Sequence, residues 1–294
     1  MKQSKKALRK DFRMEIKKTM NRFVSIFLIS ALGAAFFAGV RSTAGDMKYS
    51  GDVFYDDVNL MDLRIMGTLG MTEADAEAIA KLDGVESAEL SYRSDVLYED
   101  LNTELVVRLL SYSDTMNGYY IKEGRVPERA DECLADPAFL RQSGRKIGDT
   151  ITLTSGTKDP ISDTLITDTY TIVGAATTPM YMAMDRGTSS IGTGRVSAYL
   201  VLPKESFRLE AYTDLYLTVT GAKALNSYSE EYKELVAQVE EAVLTIEEER
   251  CQARYEEVLE EPRKELADAK QELADKEAEA NAELADAVEK LTDA

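Results

Sequence analysis

The chain has 294 residues and a net charge of −18, with 35 Lys and Arg against 53 Asp and Glu, and it contains no His. This balance excludes a body that binds nucleic acid, which needs a basic face, and it removes the commonest general base and metal ligand. The chain has two cysteines, Cys133 and Cys251, which are too few for a disulfide framework or a four-ligand zinc site. A single disulfide bond between them remains an alternative if the domain is extracellular. We therefore expect a folded, acidic protein that is not an enzyme and that has no cofactor and no metal.

The N-terminal region has the charge pattern of a membrane protein. Residues 1–22 contain nine basic and two acidic residues, a net charge of +7, and residues 23–40 are uncharged, so the remainder carries −25. The 18 apolar residues would span about 27 Å as a helix, close to the thickness of the bilayer core. We predict a transmembrane helix over 23–40, flanked by Arg22 and Arg41, in the cell membrane. The positive-inside rule predicts a cytoplasmic N-terminus and an extracellular body.

Two alternatives remain open in this region. A cleaved signal peptide is the alternative to the anchor, because Ser42-Thr43-Ala44 offers a small-x-small site, but the apolar block is longer than is usual for a signal. The leader, residues 1–22, is predicted to be an amphipathic helix lying on anionic membrane lipid. Its alternative is a disordered basic tail that only sets orientation. The apolar stripe that favours the helix consists of Ala7, Leu8, Phe12, Ile16, Met20 and Phe23.

The first part of the predicted extracellular body has the pattern of a strand, a helix and two more strands. Leu60–Met66 alternates as a strand does, and Thr72 can cap a helix that ends at about Leu82. Val85–Tyr98 and Glu104–Ser111 have the composition of two further strands. The sequence therefore predicts a β-α-β-β unit.

A second strand and helix lie much later in the chain. Asp214–Thr220 predicts a strand, and a helix follows with Ser229 as its cap. Two such pairs predict a split α/β domain over 47–118 and 208–246, interrupted by a β-rich insert subdomain over 119–207. The predicted core stripe of the second helix is Tyr232, Leu235, Val236, Val239, Val243 and Ile246.

The insert contains strand signals but no convincing chemical motif. Tyr170–Gly174 and Ala198–Leu202 predict strands, and Thr177–Gly194 predicts a long loop. Gly144–Thr150 superficially resembles a phosphate-binding loop, but Asp stands where that loop has Lys, so we predict a β-turn. A strand would place the thioethers of Met180, Met182 and Met184 on one face for Cu(I), whereas apolar packing or a flexible contact loop is the alternative.

The tail, residues 247–294, is acidic and has coiled-coil spacing. Leu266, Leu273, Leu284 and Leu291 are separated by seven, eleven and seven residues, and they form the predicted seam of a helix that Pro262 kinks. Because one helix cannot bury its own stripe, we expect a partner helix in another chain or in the rest of this one, of which the 294 residues would be a fragment. The alternative is a solvated acidic helix without a partner.

Four segments carry a resemblance to a known family: VRSTAGDM (40–47), DLRIMGTLGMTEADAEAIAKLDGVESAEL (62–90), GRVPERADEC followed by GRKIGDTITL (124–133 and 144–153), and YTIVGAATTPMYMAMDRGTSSIGTGRVSAYLVLPKESF (170–207). Over roughly 1–250 the chain resembles the N-terminal part of FtsX-like ABC transporter permeases, with an outer region similar to the MacB-like periplasmic core domain. The expected fold class is α+β: one N-terminal transmembrane helix, a split β-α-β extracellular domain with a β-rich insert, and a C-terminal coiled-coil helix.

The resemblance implies a permease subunit that partners a cytoplasmic ABC ATPase and couples ATP hydrolysis to movement of the extracellular domain, for export or mechanotransmission. In the family, the regions that contact the ATPase follow the outer domain, so that partner would bind regions missing here. No site residues carry over, because the shared motifs are turns and strands. The first alternative is a single-span, membrane-anchored binding or adhesion module that oligomerises through its coiled coil. The second is an extracellular enzyme that uses acidic residues, for which the sequence shows no paired-carboxylate geometry.

Overall fold

The computed structural model of the chain describes residues 2–100, 103–183 and 185–292, with side chains described from residue 6 to residue 282 within those ranges. It divides into two compact units, Met1–Phe54 and Tyr55–Ala294. The helices are α1 (Lys2–Lys18), α2 (Met20–Asp57), α3 (Glu73–Ala80), α4 (Pro137–Ser143) and α5 (Glu230–Thr292). The strands are β1 (Leu63–Ile65), β2 (Val85–Ser91), β3 (Arg93–Asp100), β4 (Thr103–Ser111), β5 (Tyr120–Gly124), β6 (Glu132–Ala135), β7 (Thr150–Thr154), β8 (Thr169–Thr177), β9 (Ala198–Leu202) and β10 (Asp214–Val219).

The described residues of the first unit are helical except Thr19, which forms a turn between α1 and α2. The leader forms α1, which confirms the predicted helix over the disordered alternative. Within the described chain, α2 is the one helix long and apolar enough to cross a membrane, and none of its most apolar window is buried. The predicted helix ended at Val40, but α2 continues to Asp57. No Pro interrupts residues 41–57, and the two glycines there do not adopt positive φ, so nothing in the local sequence ends the helix earlier.

A three-stranded sheet with the order β1-β10-β2 forms the smaller part of the second unit. Strand β10 is antiparallel to both neighbours, so β1 and β2 run in the same direction and α3 crosses between them. The side chain of Thr72 accepts a hydrogen bond from the backbone of Asp75, and the Asp75 carboxylate accepts one from the backbone of Thr72, which completes a capping box at the start of α3. This arrangement confirms the predicted split β-α-β fold.

The larger part of the second unit is a closed β-barrel. Its strands follow the order β8-β6-β9-β4-β3-β7, and β7 pairs with residues 169–171 of β8 to close the ring, while β5 pairs with residues 174–177 of β8. Closure pairs all six strands on both sides, and the apolar residues of their inner faces form one core. Helix α4 contributes Phe139, which is fully buried and contacts the ring of Tyr98 edge-on at 5.1 Å. Four of the six barrel strands, β6 to β9, lie within the predicted insert range of 119–207, and β3 and β4 precede it.

The strands of the predicted β-α-β-β unit are observed, but the prediction is wrong in placing them in one unit. The stretch predicted as one strand over 85–98 is divided at Tyr92 into β2, which belongs to the small sheet, and β3, which belongs to the barrel. Strand β4 follows β3 into the barrel, where it pairs with β9. The reason is burial on both faces: β4 is buried from Leu105 to Ser111, which favours the middle of a closed sheet. The predicted domain ranges themselves remain predictions.

Candidate functional site

The first half of α5 is attached to the small sheet by an apolar stripe. Val239 is 2% exposed and packs with Val219 of β10. Val243 and Ile246 pack on the cluster that contains Leu217, also of β10. The predicted stripe is confirmed, since all six residues lie in these two clusters: Tyr232, Leu235, Val236, Val239, Val243 and Ile246.

An ion pair fixes α5 further along its length. The guanidinium of Arg250 donates a 2.7 Å hydrogen bond to the carboxylate of Asp75, whose side chain is only 5% exposed. Burial raises the pKa of Asp75, but hydrogen bonds from Thr72 and Arg250 outweigh it and hold the pKa below its ordinary value. One turn later, Arg254 donates to the carbonyl of Leu69 at 3.0 Å. The loop and cap that precede α3 are thereby tied to α5.

The first turn of α5 is held by a carboxylate next to β1. Asp62 accepts a 2.7 Å hydrogen bond from the backbone of Val219 and a 2.5 Å hydrogen bond from the hydroxyl of Tyr232. Ser229 accepts from the backbone of Tyr232 at 3.1 Å, which confirms it as the predicted cap. The attachment therefore begins in the first turn of α5 and continues to Arg254.

A buried carboxylate joins the small sheet to the barrel. Asp214, the first residue of β10, is fully buried and lies 2.5 Å from Arg64 of β1 and 3.3 Å from Arg93, the first residue of β3. Thr213 accepts a 2.6 Å hydrogen bond from the backbone of Arg93 and donates to Asp214 at 2.8 Å. One carboxylate thus connects strands from both sheets, and its removal would leave two guanidinium groups without their counter-charge.

Aromatic stacking and a second ion pair support the same joint. Tyr92, the residue between β2 and β3, stacks on Phe207 and Tyr212 with ring centroids 5.2 and 4.5 Å away. Burial raises the pKa of Tyr92 to about 12. Lys204 donates to Glu89 of β2 at 2.8 Å. Burial raises the pKa of Glu89, but Lys204 and two hydroxyl donors hold it below its ordinary value.

A groove of about 370 Å³ runs between α5 and the segment from β1 to α3. Met66, Leu69 and Leu244 line it and are exposed by 58%, 42% and 57% of their surface. The Arg250–Asp75 pair forms part of its wall, and the groove is also lined by Cys251. Apolar side chains this exposed and this close together are typical of a binding surface.

The membrane-helix flanks named from the sequence lie apart from this groove. Arg22 and Arg41 are exposed residues of α2. They are 19 residues apart, which corresponds to about 28 Å along a helix. That spacing suits cationic groups at the two faces of a bilayer, and their role as flanks stays a prediction.

The predicted coiled-coil seam lies on the part of α5 beyond its attachment. Leu266 and Leu273 are exposed by 56% and 59%, whereas the side chains of Leu284 and Leu291 lie outside the described residues. Helix α5 runs through Pro262 as a single helix. The leucine seam is available for a partner helix at its two described positions, and the pairing itself stays a prediction.

The remaining motifs have structural roles. Gly144 ends α4 with φ of 72°, and the backbone of Asp149 donates to the carbonyl of Lys146 at 3.1 Å, so the turn prediction is confirmed. Cys133 is buried and Cys251 is exposed, and both are free thiols, so the disulfide bond between them that the sequence allowed is not formed. Burial raises the pKa of the Cys133 thiol.

The methionine motif does not form the strand that a shared metal-binding face requires. Met180 lies in a short 3-10 helix and Met182 follows it as an exposed residue, while Met184 lies outside the described residues. The loop alternative is the one observed for the described part of Thr177–Gly194. Within the described residues, no group of three or more His, Cys, Asp and Glu side chains could hold a metal ion.

Sequence reasoning missed the ion pairs that organise the site. Asp75 lies near the start of α3, while its partner Arg250 lies 175 residues further along the chain. Asp214 is 150 residues from Arg64. No local sequence pattern predicts ion pairs between residues so far apart. An acidic residue at the start of a buried strand does indicate that its carboxylate has a partner, because an unpaired buried charge is costly.

The model for the MacB-like periplasmic core domain matches residues 23–243, three quarters of the chain. The chain belongs to this family. The match confirms the resemblance to FtsX-like ABC transporter permeases that the four sequence segments indicated. The second unit is therefore a periplasmic-type domain of an ABC transporter permease, in a membrane protein with one described candidate membrane helix.

Solved structures of low identity were also found. The extracellular domain of the noncanonic ABC-type transporter YknZ from Gram-positive bacteria is 12% identical, with coverage of 60% of this chain and 87% of that chain and a TM-score of 0.34. The periplasmic region of MacB from Actinobacillus actinomycetemcomitans is 15% identical, with coverage of 59% and 76% and a TM-score of 0.31. A permease domain from Porphyromonas gingivalis is 19% identical, with coverage of 57% and 78% and a TM-score of 0.28.

No curated protein matches the sequence significantly. The family assignment therefore rests on the sequence match over residues 23–243 alone.

Proposed function

We propose that the chain acts within a permease subunit of the FtsX-like type, whose extracellular domain moves when a cytoplasmic ABC ATPase hydrolyses ATP. The supporting observation is the family match, because it begins at residue 23 and so includes the apolar helix together with the outer domain. In this proposal the chain is not an enzyme and holds no cofactor. Its work is mechanical, either for export or for transmitting a conformational change across the membrane.

The attachment of α5 supports a mechanical role. The helix is fixed to the small sheet by Tyr232, by the apolar stripe and by the Arg250–Asp75 pair. Beyond Arg254 it continues to Thr292, which is about 57 Å at the rise of an α-helix. A rotation of about 10° at the attached end would move the far end by about 10 Å. A small rearrangement in the sheet would thus be enlarged along α5.

The proposed orientation places α1 in the cytoplasm, against anionic lipid, and the second unit outside. The charge of +7 in residues 1–22 and −25 after residue 40 supports this orientation. Cys251 provides a direct test, because it is exposed while Cys133 is buried. A membrane-impermeant maleimide should label Cys251 in intact cells. The Cys251→Ser, Lys17→Cys variant should be labelled only after the cells are permeabilised, and labelling of Lys17→Cys in intact cells would reverse the orientation.

Coupling to an ATPase is tested by crosslinking the tagged chain in native membranes and identifying its partners by mass spectrometry. An ABC ATPase should be captured, and hydrogen exchange in α5 should change when ATP is added to the purified complex. Capture of copies of this chain alone, with exchange insensitive to ATP, would overturn the proposal. That result would favour the anchored module that oligomerises through its coiled coil.

A further inference from the structure

The groove beside α5 has the size and lining of a site for a small ligand. Its volume of about 370 Å³ falls in the range of small-molecule pockets. Ile79 of α3 and Met71 of the loop before it line the groove as buried apolar residues, and Leu69 of that loop and Leu244 of α5 line it as exposed ones. An apolar molecule that covers these two leucines would remove surface that is now in contact with water.

The arginines that line the groove form ion pairs, whereas two of the glutamates that line it form none. Arg250 pairs with Asp75 at 2.7 Å, and Arg254 pairs with Glu257 at 2.9 Å. At the other end, Arg64 pairs with the carboxylate of Asp214, which Arg93 also contacts. Among the described residues, the lining carboxylates of Glu240 and Glu247 form no ion pair. The uncompensated charge on the α5 side of the groove is therefore negative.

The two glutamates frame an apolar residue. Glu240 and Glu247 are seven residues apart, so they lie on one face of α5 about 10 Å from each other along its axis. Leu244 lies between them on the same face. The body of the chain also carries −25 after residue 40, which raises the local concentration of cations.

We propose that this groove binds a cationic amphiphile, a molecule with an aliphatic or aromatic body and a positively charged group. The apolar body covers Leu69 and Leu244, and the cation lies between Glu240 and Glu247. This binding goes beyond the proposed ATP coupling and depends on no step of it.

Cys251 reports occupancy because it lines the groove and is exposed, whereas the other thiol is buried. The full chain in nanodiscs of zwitterionic lipid is alkylated with iodoacetamide, and the modified fraction is followed by intact mass. Decyltrimethylammonium, below its micelle concentration, should slow alkylation of Cys251. Tetramethylammonium, which has the charge without the chain, and decanoate, which has the chain with the opposite charge, should have little effect. Protection by decanoate equal to that by decyltrimethylammonium would place the ligand charge at the Arg64 end and overturn the proposal.

Variants on the exposed surface of α5 separate binding from folding. Glu247→Gln should weaken the apparent affinity about three-fold, and Leu244→Gln should weaken it about five-fold. Glu248→Gln removes the same charge from an exposed neighbour that does not line the groove, so it should leave affinity unchanged. Equal effects of Glu247→Gln and Glu248→Gln, or unchanged binding in Leu244→Gln, would reject the groove as the site. Because this binding assay contains no ATPase, a failure of ligand binding would contradict the groove proposal and leave the proposed ATP coupling untouched. The coupling is tested only by the crosslinking and exchange experiments with the ATPase.

Discussion

The ion pair between Arg250 and Asp75 gives the most direct test of how α5 is attached. Arg250→Ala removes the donor and leaves a carboxylate that is 5% exposed. A hydrogen bond between charged groups contributes about 1.5–3 kcal/mol. Because the Arg250 side chain is itself 26% exposed, a value near the lower end, about 2 kcal/mol, is expected. That loss should increase local opening of the first half of α5 roughly thirty-fold.

This opening is measured as the rate of backbone amide hydrogen exchange of residues 230–254, followed by mass spectrometry at pH 7. Arg263→Ala is the matched control, since it removes the same charge from an exposed position of the same helix. Asp75 has a lowered pKa in the folded chain, so its contribution is present above its ordinary pKa of about 4 and is lost as the pH falls through the lower folded value. The difference between Arg250→Ala and the unaltered chain should shrink over that range. Equal exchange in Arg250→Ala and Arg263→Ala would refute the attachment.

Three further changes test other parts of the second unit. Asp214→Asn should destabilise the joint by about 3 kcal/mol, because two guanidinium groups lose their counter-charge, and limited proteolysis near residue 92 should accelerate; unaltered proteolysis would contradict this. Gly84→Ala should lower stability by about 1–2 kcal/mol, since Gly84 has φ of 87° and its added Cβ would lie 2.8 Å from Val239. Adding Val239→Ala should not restore stability, because the φ cost stays and a cavity forms. Leu273→Asp should leave thermal unfolding unchanged, owing to the exposure of Leu273, but abolish helix-helix crosslinking along the seam.

The sequence predicted the elements whose signals are local. The helix cap at Thr72, the stripe from Tyr232 to Ile246 and the strand Ala198–Leu202 follow from spacing and residue type alone, and each is observed. The division at Tyr92 could not be predicted in this way. Tyr92 has strand composition on both sides, and only its stacking between Phe207 and Tyr212 shows where the chain passes from one sheet to the other.

The candidate site was less predictable than the fold for the same reason. The groove is built from β1 and α3 on one side and from α5 on the other, which lies well over a hundred positions further along the chain. Its ion pair between Asp75 and Arg250 links residues with no common pattern. Barrel closure depends on short pairings such as Leu97 with Thr154, which the composition of either strand does not specify. Such contacts are decided by tertiary packing, which outweighs local propensity.

The barrel has its two chain connections at one place on the small sheet. Ser91 at the end of β2 is the register partner of Asp214 at the start of β10, and the backbone of Thr213 donates to Ser91 at 3.1 Å. The entering and leaving strands are therefore already adjacent, as the two arms of a hairpin are. A tight turn could replace residues 92–213 without moving β2 or β10. The small sheet therefore does not depend on which domain is inserted between β2 and β10. Related chains could carry a different inserted domain at this single point and keep the same small sheet.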